Sequence, residues 1–185
     1  MRLRPPAEAD AGWIADAVSD PEIPRWTRVP TPYTKDDAFA WVALADSMGR
    51  AGTAYHLVIA AVTDGARLGS VGLEVHETPG LYGGKAHGEV GYWVAAGARR
   101  RGVATRAVRL LASWGLGPLA LPVLEVHVLP ANAASHAVAR RAGFTPAGER
   151  LLPFRGRVEE FKVYTLEAVP RTNTAGAAGE GRPGA

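Results

Sequence analysis

The chain has 185 residues, 47% hydrophobic and 21% charged, which fits one globular domain and excludes disorder over most of its length. It contains no cysteine, so disulfides, zinc–thiolate sites, iron–sulfur clusters and a cysteine nucleophile are excluded. The net charge is +3, and the basic residues include only three lysines, Lys35, Lys85 and Lys162, so the arginine skew reflects genomic base composition as readily as a basic binding surface.

Asp10 to Ser19 carries Trp13, Ile14, Ala17 and Val18 at helical spacing. A second helix is expected from Thr34, where Asp36 and Asp37 suit the positive helix start, with Phe39, Val42 and Ala43 facing inward. Between them Pro21, Pro24, Pro30 and Pro32 predict an irregular segment holding Trp26 and Tyr33, aromatics that either line a pocket or pack beneath the loop. From Tyr55 the period becomes two. Tyr55–Ala60 and Leu68–Val75 flank Asp64-Gly65 as a hairpin does, and a third strand is expected over His87–Val94 after a loop at residues 78–85.

Val103, Ala107, Leu110, Leu111 and Trp114 share one helical face, with Arg106, Arg109 and Ser113 opposite, until Gly115-Leu116-Gly117-Pro118 stops the helix. Leu124–Leu129 reads as a strand, Asn132 as the N-cap of a helix ending at Gly143, and Phe144 as its folded-back contact. A terminal strand pair, Arg150–Leu152 and Phe161–Leu166, turns across Phe154-Arg155-Gly156-Arg157. Hairpins preceding a mixed helix-and-strand order predict an α+β domain over residues 1–167. Residues 168–185 lack aromatics and are nearly devoid of large apolar side chains, so a disordered tail is expected there. No stretch approaches the ~18 apolar residues of a membrane span, and Met1–Pro6 lacks a secretory apolar core; a cytoplasmic protein is expected.

Chemistry concentrates in Glu89–Thr105. A strand passes through Arg99, Arg100, Arg101 and Gly102 into a helix beginning Val103, Ala104, Thr105, so unpaired backbone N–H groups and the positive helix end converge. Such a turn suits a phosphate or pyrophosphate: Gly102 permits close approach, Ala104 keeps the first turn clear, and the arginines add charge. Neither a Walker loop nor a dinucleotide Gly-x-Gly-x-x-Gly is present. The five histidines show no metal-ligand spacing, His127 reads as a packed or half-exposed strand residue, and no metal is expected.

Arg99-x-x-Gly102-x-Ala104 between a strand and an amphipathic helix, then Asn132-x-x-Ser135 and Arg141-Ala142-Gly143-Phe144, resembles the GNAT N-acetyltransferase superfamily. Leu3-Arg4-Pro5, Glu89-Val-Gly-Tyr-Trp93, Asn132-Ala-Ala-Ser135 and the segment 156–166 are similar to its RimJ/RimL-like branch. The resemblance implies a mostly antiparallel sheet flanked by helices, and acetyl-CoA as co-substrate. Its pyrophosphate would lie on Arg99–Thr105 and its pantetheine arm along Trp93 and Val94 as an added strand. Asn132 would touch that arm, besides or instead of capping its helix.

The reaction implied is acetyl transfer to a primary amine, on a protein N-terminus or a small molecule, by direct attack in a ternary complex. It needs a proton acceptor and, less strictly, a donor for the sulfur. Glu89 and Glu74, each on a strand face, are the leading carboxylates, and Glu89 resembles the superfamily's strand glutamate base. Many superfamily members place a tyrosine as thiolate acid four residues before Gly-Phe; Ala139 stands there, and the branch's alternative donor maps to Ser135, whose other reading is a first-turn helix serine bonding backbone. The acceptor is expected among Trp26, Tyr33, Glu74, Glu89 and the 154–157 loop, on a monomer or homodimer. Two other classes remain open at this point: a non-catalytic CoA-binding or regulatory domain, and an arginine-rich nucleic-acid binder, for which no recognition helix or RNA-binding strand motif is evident.

Overall fold

Alternating apolar residues build seven strands: β1 (Arg2–Arg4), β2 (Ala54–Ala60), β3 (Arg67–His76), β4 (His87–Val94), β5 (Val123–Val128), β6 (Thr145–Phe154) and β7 (Arg157–Glu167). Five helices accompany them: α1 (Ala11–Val18), α2 (Glu22–Trp26), α3 (Lys35–Ala51), α4 (Val103–Leu116) and α5 (Ala133–Ala142). The structure, a computed structural model, describes residues 1–77 and 82–168. The 78–81 part of the expected loop and residues 169–185 of the expected tail lie outside them.

The strands form one sheet in the order β1-β2-β3-β4-β5-β7-β6. Every pairing is antiparallel except β4 with β5. The architecture is mixed α+β, as the hairpin-first order predicts. The parallel pair is very short, joining only Gly88 to Leu124 and Glu89 to Glu125. Beyond Glu89 the two strands diverge, and the sheet opens into a cleft.

One face of the sheet carries α4, whose inward stripe of Val103, Ala107, Val108, Leu111 and Ala112 packs with Val71, Leu73, Val90, Leu124 and Val126. Each fully buried Leu of this core contributes about 1.5–3 kcal/mol. The opposite face carries a smaller cluster formed by Ile14, Val18, Ile23, Ala38 and Val42 with Trp13, Trp41 and Trp93 packed on it. The buried carboxylate of Asp10 anchors the chain's start, accepting hydrogen bonds from Arg4 at 2.6 Å and Arg67 at 2.5 Å. The Arg4 guanidinium, then that of Arg67, holds this carboxyl well below the usual range against the opposing effect of burial.

Several expectations are corrected. The proline-rich segment contains α2: Pro21 is its N-cap and Pro24 falls in the first turn, where a missing N–H costs no intrahelical bond. In α3 the inward residues are Ala38, Val42 and Ala45, whereas Phe39 is 48% exposed and Ala43 also faces out. The small alanines, not the bulky Phe39, form the seam against α1. Leu110 likewise points outward from α4. Strand β6 starts at Thr145, its first residues hidden by Pro146 and a register shift before Gly148.

Candidate active site

The cleft opened by β4 and β5 has a volume of about 720 Å³. The register of β3 with β4 sets Glu74 opposite Glu89, Gly72 opposite Gly91 and Ser70 opposite Trp93. Glu89, Gly91 and Trp93 share the face turned toward α1 and α2. A Cβ at Gly91 would meet nothing within 4 Å, so this position is open floor beside Glu89.

At the other end, β4 leads through a turn with left-handed residues into α4, the strand–turn–helix shape the sequence predicts. Arg100 has φ +59 and Gly102 φ +70, both left-handed. No side chain caps α4, and its first intrahelical bond runs from the Arg106 N–H to the Gly102 carbonyl at 3.1 Å. The amides of Val103, Ala104 and Thr105 therefore precede the helical ladder and point toward the cleft mouth. Such a cradle fits a phosphate group. Its three arginines differ in placement. Arg100 lines the cleft, and Arg101 is exposed outside the lining. Arg99 lines it but is committed locally, its Nε donating to the Val94 carbonyl at 3.0 Å and its guanidinium pairing with Asp20 at 2.8 Å.

Asn132 caps α5 by accepting the Ser135 N–H at 3.0 Å, which leaves its side-chain NH₂ free to donate into the cleft it lines. The Ser135 hydroxyl meets the Tyr92 hydroxyl at 2.7 Å. Burial, only partly offset by Ser135, pushes Tyr92 up to about 12, so it stays protonated. Ala139 is fully buried; a hydroxyl reaches this region from β4 instead. Trp93 stacks on Trp13 at 5.6 Å, so it offers the cleft its backbone edge more than its indole, with Val94 beside it. Trp26 and Tyr33 line the cleft. Tyr33 also packs on the smaller core, combining both readings of that loop aromatic.

Glu89 sits among three cationic or basic neighbours. Its Oε1 accepts from Arg28 at 2.9 Å, and its Oε2 lies 3.3 Å from His127 Nδ1 and 3.7 Å from His76 Nε2. Glu74, 44% exposed, contacts the same His76 at 3.7 Å. His127 Nε2 in turn meets Glu125 Oε2 at 2.6 Å. Glu125 is wholly buried and receives the Arg150 guanidinium on both oxygens, at 2.7 and 2.9 Å, together with the Tyr82 hydroxyl. Burial raises the Glu89 carboxyl, but His127 at 3.3 Å, then Arg28, overcome it and hold it at about 2. Burial lowers His127, yet Glu125 and Glu89 hold it up at about 9. At neutral pH the pair is carboxylate and imidazolium.

His127 and Tyr92 are the functional candidates that sequence reasoning missed. A usable signal existed for His127: Glu125 and His127 alternate on an otherwise apolar strand, and a buried carboxylate needs a partner. Tyr92 lies in the Glu89–Trp93 segment that carried the resemblance, but its role was not legible because its partner lies 43 residues away. Among the described residues, no helix is long and apolar enough to cross a membrane. Nor, among them, does any group of three or more His, Asp or Glu have an arrangement able to hold a metal.

A sheet split beside an uncapped helix start, with carboxylates at the point of the split, is an arrangement suited to a phosphate-bearing ligand beside acid–base groups. Residues 1–145 match the family described as acetyltransferase (GNAT) domain. The chain belongs to this family, and acetyl-CoA is the co-substrate that membership carries. Its fold is that of the RimJ/RimL-like branch. Mycobacterium smegmatis RimJ, solved with CoA-disulfide, superposes with TM-score 0.77 at 23% identity over 90% of this chain and 81% of that one. RimL, a ribosomal L7/L12 alpha-N-protein acetyltransferase solved with coenzyme A, gives 0.75 at 16% over 89% and 92%. The ribosomal-protein-S5-alanine acetyltransferase of Vibrio fischeri gives 0.75 at 19% over 90% and 92%. No curated protein is a significant sequence match.

Proposed function

We propose that the chain is an N-acetyltransferase that passes the acetyl group of acetyl-CoA to a primary amine, a protein N-terminus or a small-molecule amine, by direct attack in a ternary complex. The observation that carries this reading is the position of Glu89: it is the last residue of β4 paired with β5, at the apex from which the cleft opens. Amides of α4 lie on one side and the open floor at Gly91 on the other. A thioester laid along the β4 edge would present its carbonyl near this apex.

In this reading the amides of residues 103–105, with Arg100, hold the pyrophosphate, and the backbone of Trp93-Val94 pairs with the pantetheine arm as an added strand. The Asn132 NH₂ donates to the same arm. The acceptor enters past Trp26, Tyr33 and Glu74. Glu89, ionised throughout the working range, accepts the proton as the C–N bond forms, when the attacking nitrogen becomes strongly acidic. The imidazolium of His127 fixes the carboxylate's orientation. The Ser135–Tyr92 hydroxyl pair donates toward the departing sulfur; because a thiol titrates near about 8.5, this help is modest. That neighbours in fold act on ribosomal-protein N-termini supports a protein amine as one acceptor class.

The test is release of free thiol from acetyl-CoA with a mixed panel of N-terminal peptides and small amines, followed by mass spectrometry of products. Amine-dependent thiol release with an added acetyl on nitrogen is the expected result. Binding of acetyl-CoA with no turnover on any amine would identify a binding domain instead.

A further inference from the structure

Beside the main cleft lies a second cavity of about 370 Å³. The segment after α2 lines one wall with Arg28, Pro30 and Thr31, and the β6–β7 turn lines the other with Pro153, Phe154 and Arg155. Arg28 and Phe154 also line the main cleft, so the cavity is an annex of the acceptor side. Its ionisable lining consists of two guanidiniums and includes no carboxylate. Of the acids in the hairpin that forms it, Glu159 is held by Arg157 at 2.6 Å. Arg155 donates to the Val29 carbonyl at 3.1 Å, which uses one of five guanidinium donors and fixes the remainder at the annex wall. Arg155 has no acidic partner among the described residues, and Arg28 spends its charge on Glu89 in the main cleft.

Arg28 links this annex to the chemistry. Among the described residues its only acidic partner is Glu89 Oε1, the oxygen that an amine would need. A plain amine must compete with Arg28 for that oxygen and leaves the displaced guanidinium unpaired. An amine that also bears an anion makes a balanced exchange: its nitrogen takes Glu89 and its anion takes Arg28.

Building on the amine-transfer reading, we propose that the acceptor carries a carboxylate a few bonds from its amine, and that Arg28 and Arg155 hold this carboxylate in the annex. A carboxylate accepts two parallel N–H donors from each guanidinium, a geometry that lysine cannot supply and that an amide cannot replace. The annex is therefore a specificity subsite, and Arg28 is a cation that moves from Glu89 to substrate as the acceptor seats.

Calorimetric titration of the protein saturated with coenzyme A, which cannot turn over, reads the subsite without the reaction. Two matched pairs are used: alanine against alaninamide, and the C-terminally amidated peptide Ser-Asp-Ala against Ser-Asn-Ala. The first pair presents the carboxylate of a free amino acid and the second an acidic side chain near a peptide N-terminus. In at least one pair the carboxylate member should bind about tenfold or more tightly. In the double variant Arg28→Gln/Arg155→Gln the preference should shrink to within about threefold, and Arg155→Lys alone should retain part of it. Melting temperatures confirm that the variants fold. Equal binding within both pairs, or a preference that survives the double variant, overturns the subsite. Thiol release is measured separately with acetyl-CoA. Carboxylate-selective binding without release sinks the transfer reading and keeps the subsite, whereas equal release from acids and amides keeps transfer and sinks the subsite.

Discussion

The Glu89 carboxylate, 17% exposed, is flanked by Arg28, His127 and His76, and these neighbours set both its chemistry and its pH response. Glu89→Gln preserves shape and most contacts but cannot take a proton. We expect kcat to fall by roughly 10²- to 10⁴-fold with acetyl-CoA affinity nearly unchanged, and the residual rate to recover at higher pH as more amine is neutral. If Glu74→Gln shows that loss and Glu89→Gln does not, the base lies one strand over. Since Glu89 is held at about 2, loss of wild-type activity between pH 5 and 7 would reflect the amine, and should follow the pKa of the acceptor when acceptors are exchanged. His127 is held at about 9, above its ordinary 6.5, so its extra stabilisation is fully present below 6.5 and lost as pH rises through 9. Urea midpoints of wild type and His127→Gln should therefore converge across that window; parallel curves would show that His127 is not charged.

At the scale of elements, two glycines would separate cofactor binding from acceptor binding in the proposed reading. Gly102 adopts φ +70, where a β-branched residue is strained by roughly 1–2 kcal/mol and a side chain would cover the free amides of α4. Gly102→Val should abolish the rise in melting temperature that acetyl-CoA gives wild type, since a ligand stabilises only the state it binds. Gly91 has ordinary backbone geometry and open space at its Cβ. Gly91→Leu should keep that thermal shift while raising KM for the amine or abolishing transfer. A Gly91→Leu protein that loses the cofactor shift instead would move the acceptor pocket elsewhere. Elements were legible in the sequence wherever a local signal decided them. The Thr34 side chain accepts the Asp37 N–H, Asn132 accepts the Ser135 N–H, and Gly143 closes α5 in the left-handed conformation, each a short-range rule. The failures were those of packing context. Ala38 and Ala45 carry too little hydrophobicity to reveal the phase of α3, and the prolines around α2 read as breakers because only their position in its first turn makes them harmless. The site divided the same way: the cradle at Gly102 is contiguous and visible, whereas His127 reaches Glu89, and Arg150 reaches Glu125, only through the register of β4, β5, β7 and β6.

Across the whole molecule, the sheet consists of two blocks, β1-β2-β3-β4 and β5-β7-β6, joined by two residue pairs. The short seam that frees the cleft also leaves few ladder hydrogen bonds to hold the blocks together. Side chains compensate there. Glu125 on β5 receives Arg150 from β6, His127 from its own strand and Tyr82 from the segment before β4, so one buried carboxylate ties three parts of the chain at the cleft's apex. Glu125 stays ionised because the His127, Arg150 and Tyr82 hydrogen bonds outweigh its burial and hold it well below the usual range. Removing one partner should therefore cost more than the pair is worth. Arg150→Met leaves a fully buried charge with less compensation, and about 3 kcal/mol of destabilisation is expected. For a domain of this size that is roughly a 6–12 °C fall in melting temperature. Adding Glu125→Leu to Arg150→Met removes the stranded charge, and the double variant should regain a substantial part of the loss in a double-mutant cycle. If the double variant is destabilised by the sum of the two single effects, the carboxylate is not held by Arg150.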